Sequence, residues 1–272
     1  MTKTHIVKSY DDDLKNLQKD LMHMGEKVIL QVEKALEALV NLDEALANSV
    51  IQEDRVIDDM EHHIDSFAIR MIALRQPVAQ DLRAVVAGLK ISSYLERMGD
   101  YAANIAKRAK GLVDIKKSVP VAALEHIVLH VTAMIRDVLT AYITANLDMA
   151  MDVWKRDDKV DQLYVSYLRE LLTYMMEDPR HITPCTHLLF IAKNVERIGD
   201  HVTNIAEMIS FVVTGNPIDA ERPKGDTTPF ETDPSFGIIG RNETMPLSVS
   251  IWIPLLILLI ISTIGLVRIN EK

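Results

Sequence analysis

The sequence predicts an all-α fold: two tandem three-helix bundles followed by a C-terminal transmembrane helix. Three observations predict it. The segment Glu96-Arg97-Met98-Gly99-Asp100-Tyr101-Ala102-Ala103-Asn104-Ile105-Ala106 returns as Glu196-Arg197-Ile198-Gly199-Asp200-His201-Val202-Thr203-Asn204-Ile205-Ala206, with seven of eleven positions identical, which marks an internal duplication. Apolar residues recur at helical spacing through most of the chain, and five of its ten glycines fall from Gly215 onward. Residues 247–267 then carry no charge at all.

Each element follows from local pattern. Leu14, Leu17, Leu21, Met24, Val28, Val32, Leu36 and Leu39 lie on one face of a helix over about 10–40. Asn41-Leu42-Asp43 supplies a turn and an N-cap for a second helix over about 43–75. Pro77 ends that helix, because a residue preceding proline is disfavoured in the α region. A third helix over about 78–110 carries the first copy of the motif, and Gly111 and Pro120 bracket the break between repeats. The plan then recurs, with helices over about 121–145, 147–176 and 183–214 and a corner at Asp178-Pro179. The repeats are assigned to 1–112 and 113–215.

Residues 216–246 have almost no apolar periodicity and read as a flexible linker; half of the chain's ten prolines fall between residues 214 and 246. The 21 uncharged residues of 247–267 are long enough, at about 1.5 Å per residue, to cross a hydrocarbon core. Pro254 is compatible with such a helix near its end. The expected protein is cytoplasmic in bulk and tethered to a membrane by this segment.

A net charge of −9, with no dense Lys/Arg face, argues against nucleic acid as a partner and favours cations or basic protein surfaces. Cys185 is the only cysteine, which leaves no intramolecular disulfide. Gly-rich phosphate loops, Gly-x-Ser-x-Gly turns and His-Glu-x-x-His helices do not occur, so the sequence does not indicate an enzyme.

The chemistry concentrates in acids. Glu96 and Asp100 lie four apart on one helical face, as do Glu196 and Asp200; the preceding helices carry Asp54 with Asp58 and Asp157 with Asp161 at the same spacing. If Pro77 marks the corner of an antiparallel hairpin, Asp58 and Glu96 lie nineteen residues from it on either side, and Asp54 and Asp100 twenty-three. The corner at Asp178-Pro179 centres the second set in the same way. Four carboxylates at one level repel one another unless positive charge stands among them. Arg97 and Arg197, turning back into ion pairs, would supply it as a structural network. Hard metal ions, which take oxygen ligands of this kind and number, would supply it as binding sites. A solvated acidic stripe is the third reading. Glu61 continues the stripe toward Asp65, with His62 and His63 alongside. Arg83 is positioned either to tie its helix to a neighbour or to contact an anion. Gly99 and Gly199, each costing about 1 kcal/mol against Ala within a helix, imply close approach of another group.

Taken together, the tandem three-helix plan, the two Glu-Arg-x-Gly-Asp-x-x-x-Asn-Ile-Ala segments, the two upstream Asp-x-x-x-Asp pairs and Arg75-Gln76-Pro77-Val78-Ala79-Gln80-Asp81-Leu82-Arg83 resemble the PhoU family of bacterial phosphate-signalling proteins over roughly residues 5–215. The resemblance implies a homodimeric, non-enzymatic cytosolic regulator that binds metal clusters. It implies that the protein links the ATPase subunit of the phosphate ABC transporter to the phosphate-sensing histidine kinase and holds the starvation response off. Carried over by position, the metal ligands are Asp54, Asp58, Glu96 and Asp100 in the first half and Asp157, Asp161, Glu196 and Asp200 in the second. Glu61, Arg83, Arg97, Asn104, Arg197 and Asn204 are candidate supports, and iron, zinc, manganese or magnesium the candidate ions. The hydrophobic tail departs from the family pattern. A metal-dependent phosphoester hydrolase and a metal-free, membrane-tethered helical scaffold are the alternatives.

Overall fold

A computed structural model describes residues 3–113, 120–216 and 218, with side chains from Tyr10 onward. The expected linker beyond 218 and the expected transmembrane segment, 247–267, lie outside the described residues. Six long helices follow one another: α1 (Lys3–Asn41), α2 (Glu44–Arg75), α3 (Gln80–Lys110), α4 (Ala122–Thr144), α5 (Leu147–Glu177) and α6 (Ile182–Thr214). Helix α1 begins seven residues earlier than its apolar stripe suggested, and no Gly or Pro stands in that stretch to stop it.

The corners have local causes. Asp43 caps α2 by accepting from the Leu46 N–H at 2.9 Å, and Asn146 caps α5 by accepting from the Met149 N–H at 3.0 Å. Before Pro77, Gln76 leaves the helix for the left-handed region at φ 48°. Ala79 also has positive φ, 51°, so α3 starts at Gln80, two residues later than expected. Between α5 and α6 the chain makes a single 3-10 turn (Pro179–His181) with Asp178 accepting from the Arg180 N–H at 2.9 Å. Gly215 closes α6 at φ 80°, donating its N–H to the Phe211 carbonyl.

The duplication is visible in burial as well as sequence. Leu21, Met24, Val28, Val32 and Ala35 of α1 are buried at the positions that Leu124, Ile127, Val131, Ile135 and Val138 hold in α4. One continuous apolar core draws on all six helices. Helices α3 and α6 run antiparallel at its centre, which places Tyr94 and Tyr101 beside His201, and Arg108 over Phe190. The seam between α1 and α4 is equally tight: a methyl group on Gly25 would overlap Leu139. Among the described residues α4 is the helix long and apolar enough to cross a membrane, but over half of that stretch is buried within the core, which marks it as a core helix.

Candidate functional site

In the first repeat, α2 and α3 form the hairpin whose corner is Pro77, and it brings the acids to one level. Burial raises the Glu96 carboxyl above the usual carboxylate range, and the charges of Asp100, Asp58 and Glu61 push it further while Arg97 opposes them. Burial also raises Asp54, with Asp100 and Asp58 adding to the effect. Carboxylates on two helices therefore feel one another. Arg97 turns back toward the acids, its Nε 3.6 Å from Glu96 and its Nη1 3.3 Å from Asp100. Gln31 of α1, buried in the core, donates through Nε2 to Asp54 at 3.1 Å and to the Val50 carbonyl at 3.3 Å. Its Oε1 is buried and finds no hydrogen-bond partner among the described residues.

The second repeat uses the same backbone plan with different partners. The Glu196 side chain is 13% exposed. Burial raises its carboxyl, and Asp200 and Asp161 add to the shift. Here the compensating cation is Lys193, whose Nζ donates to Glu196 Oε1 at 2.6 Å; Arg197 instead lies over the Tyr101 ring, 5.8 Å from its centroid. Glu196 Oε2 is buried without a hydrogen-bond partner among the described residues. Asp157 is buried against Gly199, where a methyl group would sit 3.2 Å from Asp157 Oδ1. Gly99 is similarly pressed by Ile57 and Gln31, so both glycines mark the close helix approach that their cost implied. The position of Gln31 is held by Met134 in the second repeat, so the buried amide that donates to Asp54 has no counterpart at that position.

Of the candidate supports, Glu61 joins the acidic field and stands 3.0 Å from His62 Nδ1. Asn104 accepts from Lys107, and Asn204 lies half-buried on α6. Arg83 lies away from the acids, its guanidinium against Gly215 where α6 ends and where the helix dipole favours a cation. Sequence reasoning missed Gln31 and Lys193. A polar residue within an otherwise apolar helical face was the available signal for the first, and an i,i+3 pairing with Glu196 for the second.

As a cation site the donor set has suitable chemistry: all-oxygen ligands, mutual repulsion and a buried carboxylate oxygen without a partner. Among the described residues, however, no three His, Cys, Asp or Glu side chains lie together closely enough to hold an ion as they stand.

The PhoU domain family matches residues 21–109 and 124–209. This chain belongs to the PhoU family. One matched segment falls within each of the two expected repeats. The chain is 45% identical over 231 residues to the phosphate-specific transport system accessory protein PhoU homolog of Rhizobium meliloti (strain 1021), covering 84% of this chain and 97% of that protein. It is 48% identical over 223 residues to the homolog of the same name from Caulobacter vibrioides (strain NA1000 / CB15N), covering 82% and 97%. The crystal structure of PhoU from Pseudomonas aeruginosa superposes with a TM-score of 0.73 at 38% identity, over 76% of this chain and all of that one. PhoU from Streptococcus pneumoniae, a phosphate transport system regulatory protein, superposes with a TM-score of 0.71 at 30% identity, over 78% of this chain and all of that one.

Proposed function

We propose that this PhoU-family chain is a non-enzymatic regulatory adaptor of phosphate uptake, which binds metal ions on the two acidic hairpins and docks on the phosphate transporter's ATPase subunit and the phosphate-sensing kinase. Its relatives' role as accessory proteins of phosphate transport supports the regulatory part. The observation that carries the metal part is Glu196. A nearly buried carboxylate with one unsatisfied oxygen, raised first by burial and further by two neighbouring acids, is costly in its charged form unless a cation takes up that oxygen. Glu196 and Asp200 with Asp157 and Asp161, and Glu96 and Asp100 with Asp54 and Asp58, would hold iron, zinc, manganese or magnesium after side-chain rotation draws them together. A bound ion supplies charge neutralisation that stiffens each hairpin, and the uncharged 247–267 segment tethers the adaptor at the membrane beside the transporter.

The test is the metal content of the full-length chain, purified without chelator or affinity metal and measured by mass spectrometry. Stoichiometric metal that falls in a Glu96→Gln/Glu196→Gln variant of unchanged helicity is expected. Equal metal content in the variant and the parent, or none in the parent after incubation with each ion, would overturn the metal reading.

A further inference from the structure

A cleft of about 610 Å³ opens between α3 and α6. Lys107 and Arg108 line it from α3, and Lys193 and Arg197 from α6, with no carboxylate among its lining residues. In a chain of net charge −9, four cations around one hollow are a concentration that charge balance within the fold does not explain. Lys193 is engaged by Glu196. The other three form no ion pair with the described residues. The Arg108 Cζ lies 3.9 Å from the centroid of the Phe190 ring, Arg197 sits over Tyr101, and Lys107 donates to the Asn104 amide oxygen at 3.4 Å while its charge draws the Asp54 carboxyl down against the burial that raises it. A cation–ring contact places each guanidinium without using up its N–H donors.

Neutral hydrogen-bonding capacity accompanies the charge. Asn194, 9% exposed, lines the cleft, and its side-chain amide makes no hydrogen bond with the described residues. His187 presents a buried Nδ1 that likewise lacks a partner among the described residues. Packing of the repeats does not demand any of this. At the positions related by the duplication, Glu207 stands for Lys107, Met208 for Arg108 and Ser93 for Lys193, while Arg197 alone is matched, by Arg97. Three of the four positive charges are thus particular to one side of the α3–α6 seam.

We propose that this cleft binds a polyphosphoryl anion, free or as part of a nucleotide, through Lys107, Arg108 and Arg197, with Asn194 and His187 completing its hydrogen bonds. Planar guanidinium groups match phosphoryl oxygens in pairs. A volume of about 610 Å³ is in the range of small-molecule sites and exceeds what a single orthophosphate fills. The cleft borders the second acidic hairpin through Lys193, which donates to Glu196, but it has no carboxylate in its lining and its anion binding does not rest on metal at those acids.

Isothermal titration of the full-length chain in mild detergent, with ATP, tripolyphosphate and orthophosphate as separate probes, tests this. EDTA is present throughout, so that an anion carried by a bound cation does not contribute. One equivalent of ATP or tripolyphosphate per chain is expected. The affinity should fall by about tenfold or more in Lys107→Gln/Arg197→Gln, whose side chains are exposed, and by less than about twofold in the control Lys90→Gln/Lys155→Gln. Tighter binding of ATP than of tripolyphosphate identifies a nucleotide, with Phe190 as the ring beside the base. Equal binding identifies a free phosphoryl chain. No heat from any probe at about 1 mM, or equal losses in the two double variants, would overturn the proposal.

Discussion

Glu196 condenses the electrostatics of the second hairpin into one side chain. Its carboxyl is raised first by burial and then by Asp200 and Asp161, against the pull of Lys193, so the folded chain holds that proton more tightly than the unfolded chain does. Its favourable contribution is therefore full below the unfolded glutamate value of about 4.3 and is lost as pH rises through the higher folded value. In the metal-free protein, Glu196→Gln should raise the melting temperature at pH 7.5 and converge with the parent near pH 4, as followed by circular dichroism. With saturating manganese at pH 7.5 the order should reverse, because only the parent retains the ligand. The same offset at both pH values, with or without metal, would show that the substitution acts through packing alone. Gln31 belongs at this scale too: a buried amide donating to Asp54 in one repeat and a methionine in the other give the two hairpins different local chemistry under one backbone plan.

The helices were largely legible because their causes are local. Apolar spacing located all six, Asp43 announced the start of α2, and equal distances from Pro77 placed Asp58 opposite Glu96 before any coordinates. What stayed hidden depends on contacts that sequence spacing does not encode. Lys193 rather than Arg197 takes Glu196 because Arg197 is drawn onto Tyr101, a ring on a helix of the other repeat. The cleft is formed by Lys107, Arg108 and Arg197, which converge only once α3 lies antiparallel to α6. Backbone strain at the corners was also unannounced. Ala145 ends α4 in the left-handed region at φ 48°, which disfavours a side chain with a Cβ. Ala145→Gly should accordingly stabilise the chain by about 1 kcal/mol in urea denaturation, whereas a loss of stability would mean that unfolded-chain entropy outweighs the relief.

At the scale of the molecule, the repeats are joined through α3 and α6 into one core rather than standing as beads on a string. Residues 1–112 expressed alone would expose the α3 face that α6 covers, with Tyr94, Tyr101 and its neighbouring small residues turned to water. Such a half should associate with itself or lose helicity on dilution, read by sedimentation and circular dichroism across a hundredfold concentration range. A monomeric, cooperatively folding half would show that each bundle is autonomous and that the shared core is incidental to its stability.

The antiparallel α3–α6 seam has the geometry of a symmetric handshake, with each repeat offering the other the same face. When two such faces belong to separate molecules, their union rises and falls with the number of copies present. Here one chain carries both, so the joint persists in a cell that holds only a handful of them, and scarcity cannot take it apart. Each side of the handshake was also free to change without its mirror image following, and the basic hollow formed by Lys107, Arg108 and Arg197 is a place where one side did.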